Sequence, residues 1–121
     1  MAARLTPAAQ PLVYPGLAPV HTAVSADGDV LDVGRTFLSV LNGGSGAITV
    51  TVQTPETVDG DLAIAERVVT VPVGTAPKLI PLNSPHYRQT TASAVLPADV
   101  GKAYVDYSAT ASVTRAVVMF A

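Results

Sequence analysis

The sequence predicts an all-β chain: a small antiparallel β-sandwich, jelly-roll or immunoglobulin-like, of roughly seven or eight short strands behind an extended N-terminal arm. Three observations carry this. Short runs alternate apolar and polar residues with a period of two, as half-buried strands do. Clusters of Gly, Asp, Asn and Pro separate those runs. No window sustains a helical period. A small barrel would show the same pattern.

The arm comes first, over residues 1–20, and the sandwich domain follows over 21–121. Prolines stand at every fourth position of the arm, Pro7, Pro11, Pro15 and Pro19. Proline fixes φ, lacks an N–H and turns the preceding residue away from helix. An extended, partly polyproline-like segment is expected. It is nonetheless apolar, with Leu5, Leu12, Val13, Tyr14, Leu17 and Val20. A free apolar arm is unfavourable in water. It must fold back along its own domain or lie on a neighbouring subunit.

The strands follow in order. Val20 to Val24 is a short first candidate. Arg35 to Leu41 places Leu38 and Val40 inward, with Arg35 and Ser39 outward. Ile48-Thr-Val-Thr-Val-Gln53 puts Ile48, Val50 and Val52 on one face. Arg67 to Val71 groups Val69 with Val71. Lys78 to Leu82 contains Pro81 and so belongs at an edge. In Lys102 to Tyr107, Ala103, Val105 and Tyr107 share one face, and Lys102, Tyr104 and Asp106 the other. Ser112 to Phe120 is apolar on both faces except at Arg115, as expected of a strand covered on both sides.

Between them lies turn chemistry. Asn42-Gly-Gly-Ser-Gly46 reads as a hairpin loop, whose glycines would allow a positive φ. Asp27-Gly-Asp29, Asp59-Gly-Asp61 and Val73-Gly74 mark further turns. Thr54 to Ala65 and Asn83 to Asp99 are longer loops, and Leu62 to Arg67 has room for one helical turn at most.

Composition narrows the function. The chain has 121 residues, enough for one domain. It has no cysteine, which excludes disulfides, thiolate zinc sites, iron–sulfur clusters and a thiol nucleophile. A net charge of −2 argues against nucleic-acid binding. The charged fraction of 13% is about half that of an ordinary soluble domain. So few charges point to an exterior shared with partners. No apolar run is long enough to span a membrane, and the prolines interrupt any signal-peptide core.

Catalytic equipment is sparse. His21 and His86 are the two histidines, and nothing resembles a nucleophile elbow. Asp27, Asp29 and Asp32 gather three carboxylates without the spacing of a calcium loop, so a turn is the preferred reading. Asp59 and Asp61 read the same way. Gly43-Gly-Ser-Gly46 lacks the Lys-Ser/Thr of a phosphate loop. No enzyme, cofactor or metal is expected. Carbohydrate binding would need Tyr14, Tyr87, Tyr104 or Tyr107 as stacking surfaces. A binding or structural role remains. Its candidate contact residues are Leu5, Pro7, Pro11, Leu12, Val13, Tyr14, Pro15, Leu17 and Pro19 of the arm. Tyr104, if outward beside Lys102 and Asp106, would add an anchor.

The run Gly34-Arg-Thr-Phe-Leu-Ser-Val-Leu-Asn-Gly-Gly-Ser-Gly-Ala-Ile-Thr-Val-Thr-Val-Gln-Thr-Pro55 resembles the first hairpin of small capsid proteins from tailed bacteriophages of actinobacteria. Thr57-Val-Asp-Gly60 and Ala65-Glu-Arg-Val-Val-Thr-Val-Pro72 continue the likeness. So do Ala103-Tyr-Val-Asp-Tyr-Ser108 and Ser112-Val-Thr-Arg-Ala-Val-Val118. It covers roughly residues 34–120 and leaves the arm outside. The resemblance implies a capsid decoration, or cement, protein: a homotrimer on the outer surface of the virion head, made in the host cytoplasm. It would bind the major capsid protein, with no nucleic acid, membrane or cofactor. Head-completion, connector and tail proteins share similar hairpins.

Overall fold

A computed structural model describes residues 5–7, 9–12, 16–55, 57–58, 62–63, 66–74, 76–82, 87–90, 94 and 97–120. Its strands are β1 (Gln10–Leu12), β2 (Thr22–Ala23), β3 (Asp29–Leu31), β4 (Thr36–Asn42), β5 (Ile48–Val52) and β6 (Thr57–Val58). They continue with β7 (Leu62–Ala63), β8 (Arg67–Val71), β9 (Lys78–Pro81), β10 (Ala103–Tyr107) and β11 (Val113–Phe120). A 3₁₀ turn spans Pro97–Asp99.

Two sheets form the sandwich. One runs β3-β10-β5-β8, and every pairing in it is antiparallel. The other runs β11-β4-β9, with β2 antiparallel and β1 parallel on the far side of β11. Setting aside β1 and the small β6–β7 hairpin, successive strands exchange sheets except at the paired β5 and β8, which is the order of a jelly roll. β2, β11, β4 and β9 form one layer, and β3, β10, β5 and β8 the other. Of the two expected sandwich types, this strand order selects the jelly roll.

The alternating residues meet between the layers. Ile48, Val50 and Val52 of β5 face Leu38 and Val40 of β4 and Val113 and Val117 of β11, all buried. Ile80, Val71, Ala103, Val105, Leu31 and Leu82 complete the core. It is aliphatic throughout its centre, and each fully buried valine or leucine contributes roughly 1.5–3 kcal/mol. β11 is covered on both faces, since Ala116 and Val118 are buried as well. Pro81 lies in edge strand β9, as its missing N–H requires.

Three expectations are corrected. The Asn42–Gly46 run is not a hairpin loop, because β4 and β5 belong to different sheets. It is an arch over the end of the sandwich. Left-handed glycines occur instead at Gly16, Gly28, Gly34 and Gly101. Close approach explains the arch: a Cβ on Gly43 would meet the Ser112 carbonyl oxygen at 3.2 Å, and one on Gly44 the Ala111 carbonyl oxygen at 3.1 Å. Asn42, buried beneath, donates to the carbonyls of Gly46 (2.9 Å) and Val71 (3.1 Å) and accepts from Gly44 N–H at 3.0 Å. Second, Ser39 faces out of the core but is buried, because the His21 ring covers it with Nε2 2.9 Å from its Oγ. Third, Leu62–Ala63 is a strand paired with Thr57–Val58 inside the first long loop.

Candidate partner-binding surface

The described residues of the arm lie on their own domain, held chiefly by main-chain bonds. Leu5 bridges to Asp29: its N–H donates to the Gly28 carbonyl at 3.0 Å, and its carbonyl accepts from Val30 at 2.8 Å. Gln10, Pro11 and Leu12 then pair with Val118, Met119 and Phe120 of β11. The chain returns at Val20, where the Gln10 amide clamps it twice. Gln10 Nε2 donates to the Val20 carbonyl and Val20 N–H donates to Gln10 Oε1, each at 2.9 Å. Pro7, Gln10 and Val20 cover a cavity of about 310 Å³ floored by Ala116 and Val117.

Because the backbone does the docking, apolar side chains remain outside. Leu5, Leu12 and Val20 are exposed, as is Met119 beside β1. Pro11 and Pro19 are exposed, and Pro7 and Leu17 are half-buried. Val13, Tyr14 and Pro15 lie outside the described residues. Of the candidate residues, then, Leu5, Leu12, Pro11 and Pro19 are left exposed along the arm's path.

Tyr104 is not part of it. Its side chain is 2% exposed, and its hydroxyl donates to Asp99 Oδ2 at 2.6 Å. Asp99 of the 3₁₀ turn covers the β10 face read as outward, while Arg88 and Gln89 pair alongside the start of the strand, through the Arg88–Ala103 bridge and the Gln89 N–H bond to the Lys102 carbonyl at 2.7 Å. Tyr87 is buried too, and Tyr107 is half-buried with its hydroxyl turned inward. Among the described residues, no tyrosine offers a stacking face for sugar.

The sandwich under the arm is tied by a buried ion pair that joins the two sheets. Arg115 of β11 is 2% exposed and Asp29 of β3 is fully buried. Nε and Nη2 of Arg115 each donate to one Asp29 carboxylate oxygen at 2.9 Å, a bidentate fork. Arg115 Nη1 donates to the Thr22 hydroxyl and, at 3.3 Å each, to the carbonyls of Thr22 and Ala23. The Tyr107 hydroxyl donates to the same carboxylate. Burial, then the Asp29 charge and its hydrogen bond, push the Tyr107 phenol well above its ordinary range.

No known protein family, no curated protein and no solved structure matches this chain.

The three carboxylates of the 27–32 run diverge. Asp27 Oδ2 accepts from Ser25, Asp29 is buried against Arg115, and Asp32 pairs with Lys102 at 2.7 Å on the surface. The Ser25–Gly28 turn carries a left-handed glycine (φ 81°), as turn chemistry requires. Among the described residues, no group of His, Asp and Glu is arranged to hold a metal ion. Asp59, Asp61 and His86 lie outside them. The one sequence signal for the ion pair was the lone charge in an apolar strand, Arg115. A charge there demands a buried partner, but nothing in the sequence says which of nine acids supplies it.

Proposed function

We propose that this chain is a structural virion protein that decorates the outside of a tailed-phage head. It would associate with copies of itself, as a trimer, and bind the major capsid protein lattice. The exposed apolar side chains of the arm carry the reading. Leu5, Leu12 and Val20 are exposed on a segment already pinned by its backbone. Exposed apolar side chains on a segment held in place are available for another protein to cover. The arm is held in place beforehand, so little ordering entropy is lost on contact. Repetition over a shell adds many such weak contacts together. The sandwich below supplies a stiff platform with few charges. The likeness of residues 34–120 to small phage capsid proteins supports the same reading, and the role requires no catalytic residue.

Co-sedimentation with purified heads tests it. The full chain should pellet with shells and saturate at a copy number spread over the whole lattice. Replacing Leu5, Leu12 and Val20 by Ser should reduce occupancy at least tenfold while the fold persists. A chain that stays in the supernatant, or a triple variant that binds as before, refutes the proposal. Saturation at a single ring of copies would instead indicate a head-completion or tail role.

A further inference from the structure

Of the outer edges of β3, β11, β9 and β8, the first two are covered by other segments of the chain. Leu5 covers the outer edge of β3 through the two bonds described above. β1 and β2 cover the outer edge of β11. The edge of β9 is blunted by composition. Leu82 N–H donates to the Thr36 carbonyl at 3.0 Å. Main-chain bonds to β4 therefore fall on residues 82, 80 and 78, and residues 79 and 81 point away. One of those is Pro81, which has no N–H to offer, and Lys78 stands exposed nearby.

β8 has no such device. On the other side of β5, Gln53 N–H donates to the Tyr104 carbonyl and Ser108 N–H to the Thr49 carbonyl, each at 3.0 Å. Thr49, Thr51 and Gln53 thus turn their main chain to β10. Ile48, Val50 and Val52 turn theirs to Val71, Val69 and Arg67 of β8. The N–H and C=O groups of Val68 and Thr70 are left pointing outward, beside no described strand. Val68 is 57% exposed. Arg67-Val-Val-Thr-Val71 contains no proline, glycine or lysine, the residues that usually guard an edge.

We infer that two copies of this chain pair through β8, antiparallel about a two-fold axis at Val69. The strand is self-complementary in that register. Val68 of each copy lies opposite Thr70 of the other, and each such pair exchanges two main-chain bonds. Arg67 meets Val71, so no like charges oppose one another. Sliding toward the C-terminus would set Pro72 against Val68 and lose a donor. Sliding the other way would enlist Glu66, which lies outside the strand. The result is one continuous eight-stranded sheet across two chains, with an isologous interface. The pairing is that of the free chain in solution, whereas the proposed trimer is an arrangement on the shell, so either can fail alone.

Charge exchange across the seam tests it. V68E/T70E places two acids opposite two acids, and V68K/T70K two bases opposite two bases. Both positions are exposed, so circular dichroism should match wild type. In sedimentation velocity, wild type should run at twice the chain mass and each variant as a monomer. An equimolar mixture of the two variants should restore the dimer. In wild type, hydrogen exchange at the Val68 and Thr70 amides should slow at least tenfold as concentration rises. A monomeric wild type, variants that associate like wild type, a mixture that stays apart, or unchanged exchange overturns the inference.

Discussion

Replacing Arg115 by Ala should cost about 3–5 kcal/mol of folding stability. Arg115 and Asp29 are 2% and 0% exposed, so neither charge can recover hydration in the fold. Truncation removes both arms of the fork, at 2.9 Å each, and leaves the carboxylate with the Tyr107 hydroxyl as its remaining side-chain donor. It also frees the Thr22 hydroxyl and the carbonyls of Thr22 and Ala23, which hold β2 to the sandwich. A whole domain is stable by only about 5–15 kcal/mol, so the loss is a large fraction. At about 3–5 °C per kcal/mol for this chain length, the melting point should fall by about 10–20 °C. Urea unfolding followed by circular dichroism measures it. The R115M/D29L double variant removes both charges and fills the space with apolar atoms. It should recover most of the loss, because the desolvation penalty disappears with the pair. A single variant within about 1 kcal/mol of wild type, or a double variant as weak as the single, would refute the reasoning.

The remaining predictions concern the same core and its surface. The Tyr107 phenol is held neutral in the fold while the unfolded phenol ionises near pH 10. Stability from this group is therefore complete below pH ~10 and declines above it, by up to about 1.4 kcal/mol per pH unit. Urea midpoints above that pH should fall less steeply for Y107F than for wild type. Asn42→Ala should cost about 2–3 kcal/mol in the same assay, because it strips the arch of three hydrogen bonds at a site 1% exposed. Lys102→Ala should change stability by no more than about 0.5 kcal/mol, since its pair with Asp32 is solvated on both sides.

Much of the fold is legible in local pattern. Ile48 to Val52 alternates because one face of β5 meets the core and the other does not. Pro81 announces an edge because a proline lacks the N–H a ladder needs. The arm's prolines exclude helix, and the segment does run extended along β11. Tyr104 was misplaced because alternation assigns a side chain to a face without saying what covers that face. Here Asp99 of the 3₁₀ turn covers it, from a stretch whose sequence reads as an ordinary loop. The glycine run misled for a related reason. A turn between two strands looks the same whether those strands pair with each other or join different sheets.

What the sequence determined alone is local: strand positions, their inward residues, the extended arm and the edge at β9. Each depends on neighbours within a few residues, where sterics and hydrogen-bonding capacity act directly. The tertiary structure decided the rest. It set the jelly-roll order, joined Arg115 to Asp29 across 86 residues, turned Leu5, Leu12 and Val20 outward and left the outer edge of β8 beside no described strand. Those outcomes follow from which strands compete successfully for each free edge. That competition is settled by long-range burial and pairing, which no short window of sequence contains.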